Sequence, residues 1–324
     1  MRPRAAILGL AVLVAVFAAP PGAARADDSG AALPAKADVG PMRHLWQSLN
    51  NCGPASVVMA LSTFGIEADQ EVARLALRGP DWRRGMGPGP VDPWASSLYG
   101  LRSVSRLNGT RDLVKRLVAN GFAPMVTQWM QDPSISRIAH WRTVRGYDDD
   151  RGVFRVNDPM LGADVPLAYD WFDASWQPFS FRWMVLYRPE DAGRLRQLVG
   201  PDWDELAMRD RFYERAKADA RAQDTSAAWL AYGEAAYQDG WFAEAVAAFE
   251  QGMRLGSATG VFTVRSSYPL ALRALGRQND ANDAAARLAS LTTTPAAVVQ
   301  SPDGYALYLA FRREHANDRV ALLE

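Results

Sequence analysis

The apolar positions change period several times along the first half of the chain. Val57, Val58, Leu61 and Phe64 recur at helical spacing, so Gly53 to Phe64 is expected to be a helix with one inward face. Pro54 suits its first turn, Asn50 or Asn51 can cap it, and Gly65 can end it. Asp69 to Leu77 has the pattern of a second, shorter amphipathic helix. Gly85 to Pro93, G-M-G-P-G-P-V-D-P, reads as a loop outside regular structure. Thr110 to Asn120 returns to helical spacing, with Leu113, Leu117 and Val118 inward and Gly121 as a stop.

Beyond Gly121 the pattern predicts strands at Ala123 to Trp129, Ala139 to Tyr147, Gly152 to Asn157 and Phe179 to Tyr187. D-D-D-R-G joins the middle pair as a hairpin. Helices followed by antiparallel strands imply an α+β domain, expected over residues 41–190. After Pro189 alanine dominates and strand patterns cease. Trp203 to Ala222 is expected to be helical. Trp229, Tyr232, Gly233, Gly240, Ala245, Phe249 and Gly252 then fall at spacings that resemble a tetratricopeptide repeat. Tyr268, Leu272, Gly276, Ala281 and Leu288 give a looser second copy, so residues 191–324 are expected to form an all-α repeat domain.

The N-terminus adds a compartment. Arg2 and Arg4 precede the uncharged apolar run Ala5 to Ala19, and Ala24-Arg25-Ala26 offers a cleavage site. Residues 1–26 therefore read as a secretory signal peptide, with residues 27–40 as a flexible linker. The run is shorter than the roughly 20 residues of a membrane span, so no stable span is expected after cleavage. With an Ala/Arg-rich composition, this predicts a bacterial periplasmic or secreted protein. Lys plus Arg and Asp plus Glu number 36 each, and no basic cluster points to nucleic acid. Three scattered histidines and one cysteine make no metal-ligand cluster, and the glycine-rich segment lacks the lysine of a phosphate loop. No cofactor is expected.

The single cysteine, Cys52, lies where the first helix begins. It cannot form an intramolecular disulfide, and a helix N-terminus favours the thiolate. Of the histidines, His44 lies in the lead-in and His315 in the helical tail, whereas His140 opens the strand H-W-R-T-V-R-G-Y in the same domain. His140 is the natural base for the thiol and the natural acid for a leaving amine. The return strand V-F-R-V-N-D-P brings back Asn157 and Asp158, either of which can orient the imidazole; a carboxylate also stabilises the imidazolium. An oxyanion needs the Cys52 N–H and a second donor, for which Gln47, Asn50 and Asn51 compete.

The ordered set Gln47, Asn50-Asn51-Cys52-Gly53-Pro54-Ala55, His140-Trp141, Gly146-Tyr147-Asp148 and Asn157-Asp158-Pro159 resembles the papain-like cysteine peptidases related to the bacteriocin-processing peptidases that cut after double-glycine leaders. The resemblance spans about Pro41 to Pro189. It implies a papain-like fold with Cys52 as nucleophile, His140 as base, Asp158 as third member and Gln47 in the oxyanion hole. The glutamine stands five residues before the cysteine, where six is usual. An export signal and a repeat domain also stand where the bacteriocin-processing members are fused to a transporter. The expectation is an exported cysteine peptidase acting on a peptide or protein through a thioester, with the repeats recruiting substrate or a protein partner. The same triad would serve an acyl transferase or amidase, and a retired peptidase domain would leave an adaptor.

Overall fold

The computed structural model describes residues 32–81, 84–130, 139–256 and 263–290. The proposed signal peptide, Trp82 and His315 lie outside the described residues. A seven-stranded antiparallel sheet organises the first half. Its strands are β1 (Lys36–Asp38), β2 (Arg102–Arg106), β3 (Met125–Trp129), β4 (Ala139–Asp148), β5 (Val153–Asp158), β6 (Gly162–Ala168) and β7 (Trp183–Tyr187). The order is β2-β7-β3-β4-β5-β6, with β1 paired to β4. Residues 36–38 are therefore not part of a flexible linker as expected. They are antiparallel to Gly146–Asp148, and the Tyr147 hydroxyl donates to Pro34 O at 2.7 Å.

Strand alternation builds a layer on each face of the sheet. Met125, Trp141, Met184 and Leu186 pack with Val57, Val58 and Leu61 of helix α1 (Cys52–Ser62). The same cluster takes in Ala73 and Leu77 of α2 (Gln70–Leu77) and Val91 and Trp94 of α3 (Val91–Tyr99). Val126, Val144, Trp183, Val185 and Tyr187 face the other way, onto Leu113 and Leu117 of α4 (Arg111–Ala119) and Phe172 and Trp176 of α5 (Tyr169–Trp176). Helix α3 begins inside the stretch expected to be a loop, because Pro90 and Pro93 both fit a helix start, where N–H groups lack intrahelical partners. The strand expected from Phe179 starts only at Trp183. Ser180 and Phe181 sit at φ 58° and 52°, which breaks the extended run.

The second half is helical: α6 (Ala192–Val199), α7 (Glu205–Gln223), α8 (Ser226–Gln238), α9 (Phe242–Leu255), α10 (Val264–Ala274) and α11 (Gln278–Ser290). Helices α8 and α9 approach through missing side chains. A Cβ on Gly233 would lie 2.6 Å from Phe249 Cδ1, and one on Gly252 2.7 Å from Leu230 Cγ. Phe212, Ala216 and Ala220 of α7 and Tyr232 of α8 continue the core that contains Trp176 and Phe181.

Candidate active site

Cys52 is the first residue of α1 and 8% exposed. Neither Asn50 nor Asn51 caps the helix as expected. Asn50 sits at φ 51° with its amide donating to Arg84 O at 3.3 Å. Asn51 is buried, its Nδ2 donating to Gln70 Oε1 at 2.9 Å and its Oδ1 accepting from Arg78 Nε at 3.4 Å. No side chain caps α1 and no acidic residue sits in its first turn, so nothing competes with a thiolate for the positive end of the helix. Gly53 is set by packing: a Cβ there would meet Met86 Cβ at 2.6 Å. The loop carrying Met86 is held by the Trp141 indole, whose Nε1 donates to Met86 O at 3.2 Å.

His140 is fully buried at the start of β4, and its Nε2 lies 2.8 Å from Asp158 Oδ1. The Cys52 thiol lies close enough to this imidazole for each to shift the other's ionisation. With Nε2 committed to Asp158, Nδ1, buried and without a hydrogen-bond partner, is the nitrogen left for the thiol. Burial pushes the Cys52 thiol up, but His140 and backbone hydrogen bonds at Trp141 and Gly53 outweigh it and hold the thiol below its ordinary value. Burial pushes His140 down, yet the charge of Asp158, the hydrogen bond to it and the neighbouring Cys52 thiol leave it raised. Both directions favour a thiolate–imidazolium pair.

Asp158 ends β5, where the register against β6 slips between Val156 and Asp158, an irregularity that re-aims side chains. Its Oδ1 also accepts the N–H groups of Met160 and Leu161 at 2.7 and 2.9 Å. Burial alone would raise its carboxyl. The positive charges of His140 and Arg142, with these hydrogen bonds, hold it far below the usual carboxylate range. Asn157 points elsewhere, its Oδ1 accepting from Asp164 N at 3.1 Å. Gln47 is buried in the approach to α1, and its N–H donates to Pro159 O at 3.0 Å, which ties it to the turn after Asp158. Its side-chain Nε2 lies 3.5 Å from Ser48 O.

Residues 36–184 match the model of the Peptidase C39 like family. This segment is similar to that family over 149 of the chain's 324 residues. Two crystal structures are similar to the C39-like segment. One, described as a C39-like peptidase from Bacillus anthracis, has 13% identity and a TM-score of 0.40, covering 47% of this chain and 98% of that one. The other is a double glycine motif protease from an AMS/PCAT transporter in complex with the leader peptide, at 21% identity and TM-score 0.35, covering 45% and 91%. No curated protein matches the sequence.

Sequence reasoning brought together Cys52, His140 and Asp158 but passed over three neighbours in the C39-like domain. Arg142 is fully buried and its Nε donates to Asp158 Oδ2 at 2.6 Å. Gln128 Oε1 accepts from Arg142 Nη1 at 3.1 Å, while Gln128 Nε2 donates to Phe172 O at 2.9 Å. His44, placed in the lead-in by its position, lies with Nε2 2.9 Å from Asp158 O. A usable signal existed for Arg142. It stands two positions after His140, hence on the same side of a strand. Among the described residues, no group of three His, Cys, Asp or Glu could hold a metal ion, and no helix is long and apolar enough to cross a membrane.

Proposed function

We propose that the chain is an exported cysteine peptidase that hydrolyses a peptide bond through Cys52, His140 and Asp158. The observation that carries the reading is the buried relay in which one imidazole joins the only thiol to a fixed carboxylate, with thiol and imidazole shifted in opposite directions. In this reading the Cys52 thiolate attacks the scissile carbonyl carbon, and the oxyanion is met by the Cys52 N–H and the Gln47 side-chain amide. His140 gives its proton to the departing amine as the C–N bond breaks, leaving a thioester. Water then adds to the thioester carbonyl, His140 taking one proton from it, and the C–S bond breaks to release the acid and restore the pair. Asp158 holds the ring in the tautomer and orientation both steps need.

Export by residues 1–26 and recruitment of a substrate or partner by the paired helices α8 to α11 are parts of the same proposal. They are supported by the N-terminal charge and apolar pattern and by the repeat spacing of the helices. The experiment is digestion of a proteome-derived peptide library, read by mass spectrometry, with the full chain and with Cys52→Ala. New termini are expected with the unsubstituted protein and none with Cys52→Ala. Cleavage that survives the substitution, or no cleavage by either, overturns the reading.

A further inference from the structure

Arg142 takes no part in the steps above, yet its guanidinium is wholly enclosed beside the groups that do. Removing a charge from water is costly, so an arginine is retained there only if its charge is matched. Hydrogen bonding alone does not account for it, because Nη2 is buried with no partner. What the side chain does meet is Asp158 Oδ2 at 2.6 Å, Gln128 Oε1 at 3.1 Å, Trp129 O at 3.5 Å and the Trp171 ring at 5.4 Å from its centroid. Asp158 is thus shared: one oxygen serves His140, the other Arg142.

We propose that Arg142 is a positioning residue whose fixed charge closes a neutral buried quartet with Cys52, His140 and Asp158, and so sets the pH window in which the thiolate–imidazolium pair exists. The inference rests on the peptidase reading. Thiolate, imidazolium, carboxylate and guanidinium sum to zero charge. Adding one proton leaves the enclosed site at +1, and removing one leaves it at −1, so the reactive state is favoured from both sides. Without Arg142 the reactive state carries −1, the protonated state becomes neutral, and the deprotonated state carries −2. The protonated form gains on the acid side and the reactive form gains on the alkaline side. Both limbs therefore move to higher pH.

The other titratable groups facing the quartet stay in place under this change. Arg78, at the end of α2, interacts electrostatically with Cys52 and is tied to Asn51 Oδ1, Leu49 O and Asp81 O. His44 contacts the main-chain oxygen of Asp158. Met86, Trp141, Trp171 and Gln128 carry no charge. Because the hydrogen bond of Arg142 is to Asp158 and its charge reaches the imidazole only through space, the expected displacement is about one pH unit, the low end for a neighbouring charge.

The test uses the full chain as unsubstituted protein, Arg142→Gln, Arg142→Lys and Gln128→Glu. The acid limb is read from iodoacetamide alkylation of the single cysteine by intact mass. The alkaline limb is read from the 15N shifts of His140. Arg142→Gln is expected to move both limbs up by about one unit, and Arg142→Lys to keep both near their original positions. Gln128→Glu, which sets a carboxylate against Nη1, moves both upward and decides the matter if Arg142→Gln fails to fold. Limbs unmoved by Arg142→Gln or by Gln128→Glu, or moved as far by Arg142→Lys, overturn the inference alone. An unsubstituted protein with neither acid-side alkylation nor an imidazolium signal overturns the peptidase reading beneath it.

Discussion

Replacing His140 by alanine separates ionisation of Cys52 from access to it. The imidazolium is the main group that lowers the thiol against the effect of burial. Without it, the thiol returns at least to the free value of about 8.5, which leaves roughly 0.3% thiolate at pH 6, a loss of up to about 300-fold. A more basic thiolate is also a better nucleophile, with a Brønsted coefficient near ~0.45, which recovers about 30-fold where the loss reaches its limit. The net expectation is an alkylation rate lower by about tenfold at pH 6. Above about pH 9.5 both proteins are largely thiolate, and the variant then reacts at least as fast. Cys52 is only 8% exposed, so removing the ring also opens a path for the reagent. That factor is independent of pH and cancels when the variant-to-parent ratio at pH 6 is divided by the ratio at pH 9.5. Iodoacetamide rates by intact mass give both. A ratio that is equal at the two pH values would refute the reasoning, since access alone would then account for it.

Asp158 predicts an acid-side stability term. Its carboxyl is held far below the usual range by His140 and Arg142, whereas the unfolded chain takes up the proton near pH ~3.9. A depressed folded value contributes stability that is present above the unfolded one and lost as pH falls towards the folded one. The melting temperature is therefore expected to fall below about pH 4. Asp158→Asn, which breaks a buried pair at about 3–5 kcal/mol, lowers stability at neutral pH but flattens this dependence. The two melting curves converge on acidification, and parallel curves contradict the assignment. Gly53→Ala sets a Cβ 2.6 Å from Met86 Cβ and should cost about 1–3 kcal/mol by overpacking. It should also raise Cys52 alkylation equally at every pH by displacing the Met86 loop. An unchanged melting temperature and rate would show that the loop is not packed there.

The residues of the candidate site were legible because each has a local signature. A lone cysteine at a helix start, a histidine opening a strand and an Asn-Asp-Pro turn can be read without knowing what they touch. Asn50 and Asn51 misled because capping is the usual task of asparagine there. Only the fold supplies Gln70, Arg78 and the main chain at Arg84 as competing partners. Strand β1 was hidden for a similar reason. Lys-Ala-Asp has no apolar alternation, and its place comes from the pairing with Gly146–Asp148, more than a hundred residues along the chain. Asp38 adds ion pairs to Arg145 and Arg155, at 3.2 Å each. Strand β6 and helix α5 went unread because Gly162–Ala168 mixes a proline with charge and exposes one end. Long-range pairing, rather than local propensity, decides such segments.

The same distinction bears on how the two halves are joined. A change of composition at Pro189 suggests a boundary between independent modules, and the packing argues otherwise. Phe212, Ala216 and Ala220 of α7 lie in one apolar cluster with Trp176 and Phe181, which also back the sheet that holds His140 and Asp158. Polar fastenings run the same way. Arg106 donates to Trp203 O at 2.7 Å, and Arg215 donates to Asn108 Oδ1 and Gly109 O at 3.1 Å while lying over the Phe181 ring. Burying one large apolar side chain contributes about 1.5–3 kcal/mol, so a handful of such contacts rivals the whole net stability of an ordinary domain. Helix α7 is therefore part of what holds the sheet in shape.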